Sequence, residues 1–306
     1  MRMHDDQLHI DLGIARRLIV EQLPECRDLP VTALAGSGTV NAIFRIGDDL
    51  TARFPLQGLD AAEVESHLER EAAALGEFRR VCPFPAPRPL MICSGGHGYP
   101  LPWSVQTWVP GEIASPRGLS GSLEFAEDLV RLIQAMRDAD VAGRVFSGEG
   151  RGGVLRDGDE WVAECLRRST GLVDVDRIGA LWARLRELPY ADTLVMSHRD
   201  LIPANLLVGD GRLVGVLDGG GYCPADPALD LVAGWHLLDD GPRAALRDRL
   251  GSGRVEWFRG AGWALQQAMG LIWYYADTNP TMAELGRSTV ARLMADEELG
   301  ALVSAD

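Results

Sequence analysis

The sequence of 306 residues contains no lysine, so all 30 of its basic residues are arginine. It carries 44 acidic residues and a formal net charge of −14 at pH 7, and it has no basic run. Nucleic-acid binding relies on basic contacts to phosphates, so this composition disfavours a nucleic-acid partner. A negative surface instead suits a cationic ligand, whose local concentration it raises, although acidity also serves solubility alone.

Cysteine pairs and long apolar runs are missing as well. The cysteines are Cys26, Cys82, Cys93, Cys165 and Cys223. They are odd in number and scattered, so they support neither a zinc site nor a disulfide framework, and we expect reduced structural thiols. No apolar run reaches the length of a membrane span, and segment 1–11 has no apolar signal core. We therefore expect a cytoplasmic protein without a membrane partner, and the sequence leaves its oligomeric state open.

One short stretch holds three groups that suit phosphoryl transfer. It reads S-H-R-D-L-I-P-A-N-L-L-V from Ser197 to Val208, and G-V-L-D ends at Asp218. Asp200 can accept a proton from a hydroxyl, while Asn205 and Asp218 offer the hard oxygen ligands that Mg²⁺ prefers. The order and gaps fit the kinase pattern H-R-D-x-x-x-x-N, followed by a metal-binding aspartate after the next strand.

The spacing predicts how these groups meet. Pro203 argues against a regular helix between Asp200 and Asn205, so both side chains can turn toward one cleft. Short apolar runs on either side of the G-D-G turn at 209–211 predict a β-hairpin. A hairpin returns to its starting point, so Asn205 before it and Asp218 after it can ligate one ion. An isolated Asp–Asn pair near a turn is usually a capping device, but the complete ordered set favours catalysis.

At these residues the chain resembles the aminoglycoside phosphotransferase family, bacterial small-molecule kinases that look like protein kinases. The resemblance continues in D-P-A-L-D-L at 226–231 and spans about residues 30–240. It implies an α+β, bilobal protein-kinase-like fold, with a small N-terminal antiparallel-sheet lobe and a larger, mainly helical C-terminal lobe. We place these lobes at 1–107 and 108–306, with nucleotide and magnesium bound between them.

The resemblance also indicates phosphate-binding residues in the first lobe. Gly36, Ser37 and Gly38 form a glycine turn whose N–H groups can approach phosphate oxygens, although G-S-G is also a common hairpin turn and no G-K-[ST] follows it. Arg53, on a predicted strand over 50–55, stands where the family usually has a phosphate-holding lysine. Unless it is an ordinary surface arginine, it can hold phosphate through two hydrogen bonds.

Two further nucleotide contacts follow from the resemblance. A helix predicted over 61–78 carries Glu71 where the family places the glutamate that orients this cation, with Glu69 as its rival; either is otherwise a solvated carboxylate. The stretch V-Q-T-W resembles the hinge, in which backbone groups from Gln106 to Trp108 would bond the purine edge. We expect the Trp108 ring to pack in the hinge rather than stack on a ligand.

Supporting roles are implied for three residues, and one feature departs from the pattern. His198 should bond backbone and support the loop, Asp226 should be structural as a helix-start cap, and Asp230 should bond the catalytic-loop backbone. Asp218 is followed by Gly219–Gly221, whereas protein kinases have Phe-Gly there. The change removes a packing anchor and makes the loop costly to order.

The C-terminal part reads as mostly helical. Apolar periodicity and composition predict helices over 123–137, 157–168, 176–188 and 257–276. Segment 148–158, rich in glycine and charge, predicts a mobile loop. The aromatic stripe of the last helix, which includes Trp263, reads first as core and second as a substrate wall.

These expectations combine into an O-phosphotransferase that uses Mg²⁺ and moves the γ-phosphate of ATP or GTP to a hydroxyl of an antibiotic. A cationic aminoglycoside is favoured, with amines bound by downstream carboxylates such as Asp239, Asp240, Glu256 and Asp277. A macrolide or another hydroxylated small molecule is the alternative, which the aromatic stripe would suit. A weak pseudokinase or nucleotide-binding interaction module is the alternative from another class, supported by the missing lysine and the triple glycine.

Overall fold

The computed structural model of the chain describes residues 8–34, 40–57, 60–191 and 193–304. Its helices are α1 (Leu12–Gln22), α2 (Ala61–Val81), α3 (Leu123–Arg137), α4 (Asp159–Arg168), α5 (Val175–Leu185), α6 (Val232–Leu237), α7 (Asp240–Leu250), α8 (Arg254–Tyr274), α9 (Pro280–Ala295) and α10 (Glu297–Ser304). Its strands are β1 (Val31–Ala33), β2 (Asn41–Ile46), β3 (Leu50–Pro55), β4 (Pro89–Cys93), β5 (Trp103–Thr107), β6 (Glu112–Ile113), β7 (Val195–Ser197), β8 (Leu206–Gly209), β9 (Arg212–Val216) and β10 (Cys223–Ala225).

The chain divides into two compact units. The first comprises Met1–Arg80, Pro85–Pro110 and Asp218–Gly220, and the second comprises Val81–Phe84, Gly111–Leu217 and Gly221–Asp306. The first carries an antiparallel sheet and the second is mainly helical, so the α+β class is as expected. The segment 218–220 follows β9 in sequence yet clusters with the sheet, which the predicted division at 107 did not include.

The sheet of the first unit is antiparallel, in the order β1-β2-β3-β5-β4. Strand β3 has the bounds predicted for it, and side chains alternate across it, so Ala52 and Phe54 enter the core while Arg53 points to the other face. The Phe54 ring stacks on Trp103 at a centroid distance of 4.6 Å. Helix α1, capped by Asp11, adds Leu18 to the same core.

The predicted hairpin is present in the second unit as β8 and β9. Asp210 and Gly211 both have left-handed backbones, with φ of 50° and 77°, which is the geometry of two-residue hairpin turns. The buried carboxylate of Asp128 on α3 accepts hydrogen bonds from the Leu213 N–H at 3.1 Å and from the Arg212 guanidinium. These contacts attach the start of β9 to α3.

The predicted helices lie within a few residues of their observed bounds, and the stripe on α8 is core, with Trp263 fully buried. Segment 148–158, predicted as a mobile loop, bonds several distant parts of the chain. Its last part, Leu155–Gly158, forms a 3-10 turn with a buried Leu155, and its earlier carbonyls accept hydrogen bonds from distant residues. Within the described ranges, every helix is too short or too polar to cross a bilayer. All five cysteines are free thiols.

Candidate functional site

The loop after β7 is held by a buried aspartate. Asp230 accepts hydrogen bonds from the backbone N–H groups of His198 and Arg199, both at 3.1 Å. Burial raises the pKa of this carboxyl, against the lowering effect of His198 and these donors. The His198 ring, itself buried, bonds the Leu217 carbonyl through Nε2 at 2.8 Å, so the loop is tied to the end of the hairpin. Arg199 has φ of 72°, in the left-handed region that favours glycine.

Asp200 and Asn205 are brought together inside this loop. Asn205 donates from Nδ2 to the Asp200 carbonyl at 2.9 Å and to Asp200 Oδ2 at 3.0 Å. With both amide hydrogens used in this way, Asn205 Oδ1 accepts no hydrogen bond from any residue that the structure describes. A carboxamide oxygen left open beside a carboxylate is a hard ligand available to a divalent cation.

The other oxygen of Asp200 has a partner that the sequence did not reveal. Arg151 Nη2 lies 2.7 Å from Asp200 Oδ1. The two residues are 49 positions apart, and Arg151 lies in the segment predicted to be mobile. The only hint in the sequence is its setting in G-R-G-G, an arginine surrounded by residues that permit unusual backbone angles.

Asp218 lies just after the second strand of the hairpin, as predicted, and pairs with Arg53. The Leu217 N–H donates to the Asn205 carbonyl at 2.8 Å, which closes the hairpin one residue before Asp218. Arg53 Nη2 lies 2.9 Å from Asp218 Oδ1, with the arginine side chain 14% exposed and the aspartate 46% exposed. The sequence predicted Glu71 as the carboxylate that orients Arg53, whereas the described carboxylate that bonds it is Asp218.

Glu71 nevertheless shares a cavity with Arg53. Both line a hollow of about 300 Å³ in the first unit, together with Gln106, Gly220 and apolar side chains. Glu71 itself approaches His67 at 3.4 Å, one helical turn away on α2. A cation and a carboxylate therefore border one partly apolar cavity without bonding each other.

Backbone N–H groups of the expected hinge form hydrogen bonds within the protein that the sequence did not indicate. The Thr107 N–H donates to the Arg88 carbonyl at 3.0 Å, and the Trp108 N–H donates to the Asp49 carbonyl at 2.7 Å. Two of the donors expected at a purine edge are therefore used within the protein. The Trp108 ring packs under the Arg45 guanidinium, 4.7 Å from its centroid, in line with a packing role. Gly36, Ser37 and Gly38 lie outside the described residues.

Asp226 is part of a buried polar cluster. Its Oδ2 accepts from the Arg259 guanidinium and, at 2.7 Å, from Trp263 Nε1, while its Oδ1 accepts from the Ala228 N–H at 3.1 Å. Asp226 and Arg259 are both almost fully buried. The residue therefore joins the chain after β10 to helix α8, a contact that the expected helix-start cap did not include.

Most of the carboxylates expected to bind substrate amines already have partners. Asp239 accepts from Ser120 Oγ at 2.6 Å and bonds Arg292; these bonds, the one from Ser120 first, lower its pKa. Glu256 bonds Arg137 at 2.7 Å and Asp240 bonds Arg243 at 2.5 Å. Asp239 and Glu256 therefore bond arginines of the helical unit, whereas Asp240 is 88% exposed in spite of its partner and Asp277 is exposed.

Comparison with known proteins concerns the family and the fold. A model described as the phosphotransferase enzyme family matches residues 31–264. Similar solved structures include the GDP complex of wild-type aminoglycoside 2'-phosphotransferase-IIIa, with a TM-score of 0.66 and 17% identity over 95% of this chain and 98% of that one. Macrolide 2'-phosphotransferase MphH from Brachybacterium faecium has a TM-score of 0.57 and 17% identity over 90% and 98%. ADP-bound aminoglycoside phosphotransferase APH(2'')-Ib has a TM-score of 0.57 and 14% identity over 95% and 99%. At these identities the likeness shows the fold alone. No curated protein matches the chain.

Proposed function

Because the chain belongs to the phosphotransferase enzyme family, we propose that it transfers the γ-phosphate of ATP or GTP to a hydroxyl group of a small-molecule antibiotic. The observation that carries this proposal is that side chains hold both carboxylate oxygens of Asp200. Arg151 holds one of its carboxylate oxygens and Asn205 the other, in a loop that leads through a closed hairpin to Asp218. We infer a cytoplasmic location, where triphosphate is available and the free thiols stay reduced.

In this proposal Asp200 acts on the acceptor. It orients the hydroxyl and accepts its proton, while the hydroxyl oxygen forms a bond to the γ-phosphorus. The bond from that phosphorus to the bridging β–γ oxygen breaks, and the nucleoside diphosphate leaves with the electron pair. Positioning and charge neutralisation supply most of the rate, because phosphoryl transfer leaves little covalent chemistry to the protein.

One cationic side chain is assigned to the phosphates and two oxygen donors to the metal. Arg53 braces the phosphates, with Glu71 on the same cavity. Asn205 Oδ1 and the Asp218 carboxylate fit Mg²⁺, which takes oxygen ligands and keeps water and phosphate oxygens in its shell. The described residues offer no group of three His, Cys, Asp or Glu side chains that could hold a metal ion. Bound magnesium would neutralise charge on the triphosphate.

An aminoglycoside is the first candidate acceptor. Similar structures include complexes with kanamycin and with gentamicin, and the net charge of −14 favours a cationic ligand. A macrolide is the second candidate. Two macrolide 2'-phosphotransferases are similar in fold, and the arginine pairing of Asp239, Asp240 and Glu256 removes carboxylates that would hold amines.

Transfer of labelled γ-phosphate tests the proposal. The purified chain would be incubated with Mg²⁺ and with labelled ATP or GTP, separately with kanamycin, gentamicin, streptomycin and erythromycin. Labelled product with the amine-rich acceptors supports the first candidate, and labelled erythromycin alone supports the second. Nucleotide binding without label in any acceptor, and without release of labelled phosphate, would support the pseudokinase alternative instead.

A further inference from the structure

The backbone around Arg151 is fastened at successive carbonyls. Arg199 donates from Nε to the Arg151 carbonyl at 3.0 Å, and its Nη2 bonds the Glu149 carbonyl. The Asp226 N–H donates to the Gly152 carbonyl at 2.8 Å. Arg259 Nη2 donates to the Gly153 carbonyl at 3.4 Å. Hydrogen bonds from three separate parts of the chain therefore fix where the Arg151 side chain begins.

Glycines permit this close approach. Gly152 has φ of 123°, and a Cβ atom placed on it would lie 2.7 Å from Ala225 Cβ. Gly150 has φ of 68°, and a Cβ there would lie 2.8 Å from Arg199 Nη2. Any L side chain at either position would be strained or would displace the neighbour that it meets. The same glycines, which led to the prediction of a mobile loop, let the backbone of this segment lie close to Arg199 and Ala225.

Arg199 is the connection between this segment and Asp200. It adopts φ of 72° without being glycine, a conformation that costs about 1 kcal/mol or more. Its guanidinium reaches the carbonyls on either side of Gly150 and lies over the Phe146 ring, 5.7 Å from the centroid. Arg199, the neighbour of Asp200 in sequence, thus holds the segment that carries Arg151, which bonds the Asp200 side chain.

We propose that Arg151 is a positioning residue for Asp200, and that Arg199 places it. The proposal rests on the function inferred above. Arg151 and Asn205 hold the two oxygens of the carboxylate from different sides, so its remaining lone pairs keep one orientation toward the acceptor hydroxyl. A planar, always charged guanidinium suits this task better than a flexible ammonium.

Kinetics of Arg151→Ala test the proposal. The acceptor is the one of the four antibiotics that gives the highest turnover. If none of them is labelled, hydrolysis of the nucleotide by water is measured as release of phosphate. We expect kcat to fall about 10- to 100-fold, the scale of effect of a misplaced catalytic group, with KM changed less than about 3-fold because ground-state binding is retained. Guanidinium chloride at millimolar concentration should restore part of kcat, and Arg151→Lys should keep more activity than Arg151→Ala.

Arg156→Ala is the matched control. It removes an exposed arginine from the same segment, paired with Glu187 instead of Asp200, and should leave kcat within about 2-fold, as for other exposed ion pairs. Arg199→Gly relieves the left-handed backbone but removes the anchor, so kcat should fall. Its effect should be less than additive with Arg151→Ala, because both act through one contact.

The outcomes separate this proposal from the proposed function. If Asp200→Asn abolishes turnover while Arg151→Ala matches Arg156→Ala, the positioning role is wrong and the function stands. If Arg151→Ala loses kcat but neither guanidinium nor lysine restores any of it, the residue serves only the fold, and the positioning role is again wrong. Retained turnover in Asp200→Asn would overturn both.

Discussion

The ring of Phe78 lies directly against the backbone of Gly219. A Cβ atom added at Gly219 would lie 2.9 Å from Phe78 Cγ and closer still to the ring edge. Phe78 is fully buried on α2, and the next glycine, Gly220, passes 3.2 Å from Glu71 Cβ by the same measure. The glycines directly after Asp218, which have no side chains to pack, therefore receive a packing contact from the helix.

A methyl group at Gly219 should destabilise the protein. We expect Gly219→Ala to cost about 1–3 kcal/mol of unfolding free energy, because the buried ring has little room to move. Urea unfolding measures this loss, and Phe78→Leu in the same chain should recover part of it as coupling between neighbouring residues. Equal stability of Gly219→Ala and the parent would show that the contact is loose.

Arg53 should matter for the nucleotide through its charge. Arg53→Ala should raise KM for ATP or GTP about 10-fold or more, the scale of a lost charge-assisted contact, and Arg53→Lys should raise it less. Arg88→Ala, an exposed arginine of the same unit, is the control and should leave KM unchanged. Similar KM values for Arg53→Ala and Arg88→Ala would remove Arg53 from the phosphate site.

The buried pair of Asp226 and Arg259 should be costly to break. Asp226→Ala leaves an almost fully buried guanidinium without its carboxylate, and we expect a loss of about 3–5 kcal/mol. Glu127→Ala removes the partner of Arg249 from an exposed pair, and should cost no more than about 1 kcal/mol. Urea unfolding compares the two variants, and equal losses would refute the structural role of Asp226.

His236 should make stability depend on pH. Burial lowers its pKa to about 4 from 6.5, and the charges of Arg151 and Arg292 act in the same direction, against the hydrogen bond that the ring donates to Gln267 Oε1. Below pH 6.5 the unfolded chain binds a proton here that the folded chain refuses until about pH 4. The folded state therefore loses stability as pH falls through this window, by about 2 kcal/mol at pH 5.

Unfolding of His236→Gln at pH 7 and pH 5 checks this dependence. The difference between the two pH values should be smaller in this variant than in the parent. His97→Asn, at an exposed position, should keep the dependence of the parent. The same pH difference in all three proteins would show that other groups cause it.

The loop that carries Asp200 and Asn205 and the hairpin after it were predictable because their determinants are local. Pro203 excludes a helix, the G-D-G sequence specifies the turn, and the apolar runs on either side specify the strands. The strand that carries Arg53 was equally predictable from the alternation of its side chains, and helix α2 from its helix-forming residues. Pattern and spacing therefore place Asp200, Asn205 and Asp218 on the chain.

Long-range partners were not predictable. The ion pair of Arg53 and Asp218 joins residues 165 positions apart. Arg151 reaches Asp200 because Arg199 holds a glycine-rich segment beside it. Glycine and charge favour mobility on composition alone, and the tertiary hydrogen bonds of this segment do not follow from its composition. The bonding of the Thr107 and Trp108 N–H groups likewise depends on how distant segments pack.

Turnover by Asp200→Asn tests the central claim most directly. The substitution keeps the size of the side chain and removes its charge and basicity. We predict that transfer of labelled γ-phosphate to the acceptor falls at least about 100-fold, the usual contribution of a general base, while nucleotide affinity, measured by calorimetry with Mg²⁺ present, stays within about 3-fold, since the proposed nucleotide contacts remain. Transfer at the rate of the parent chain would contradict the assignment of Asp200 and the mechanism built on it.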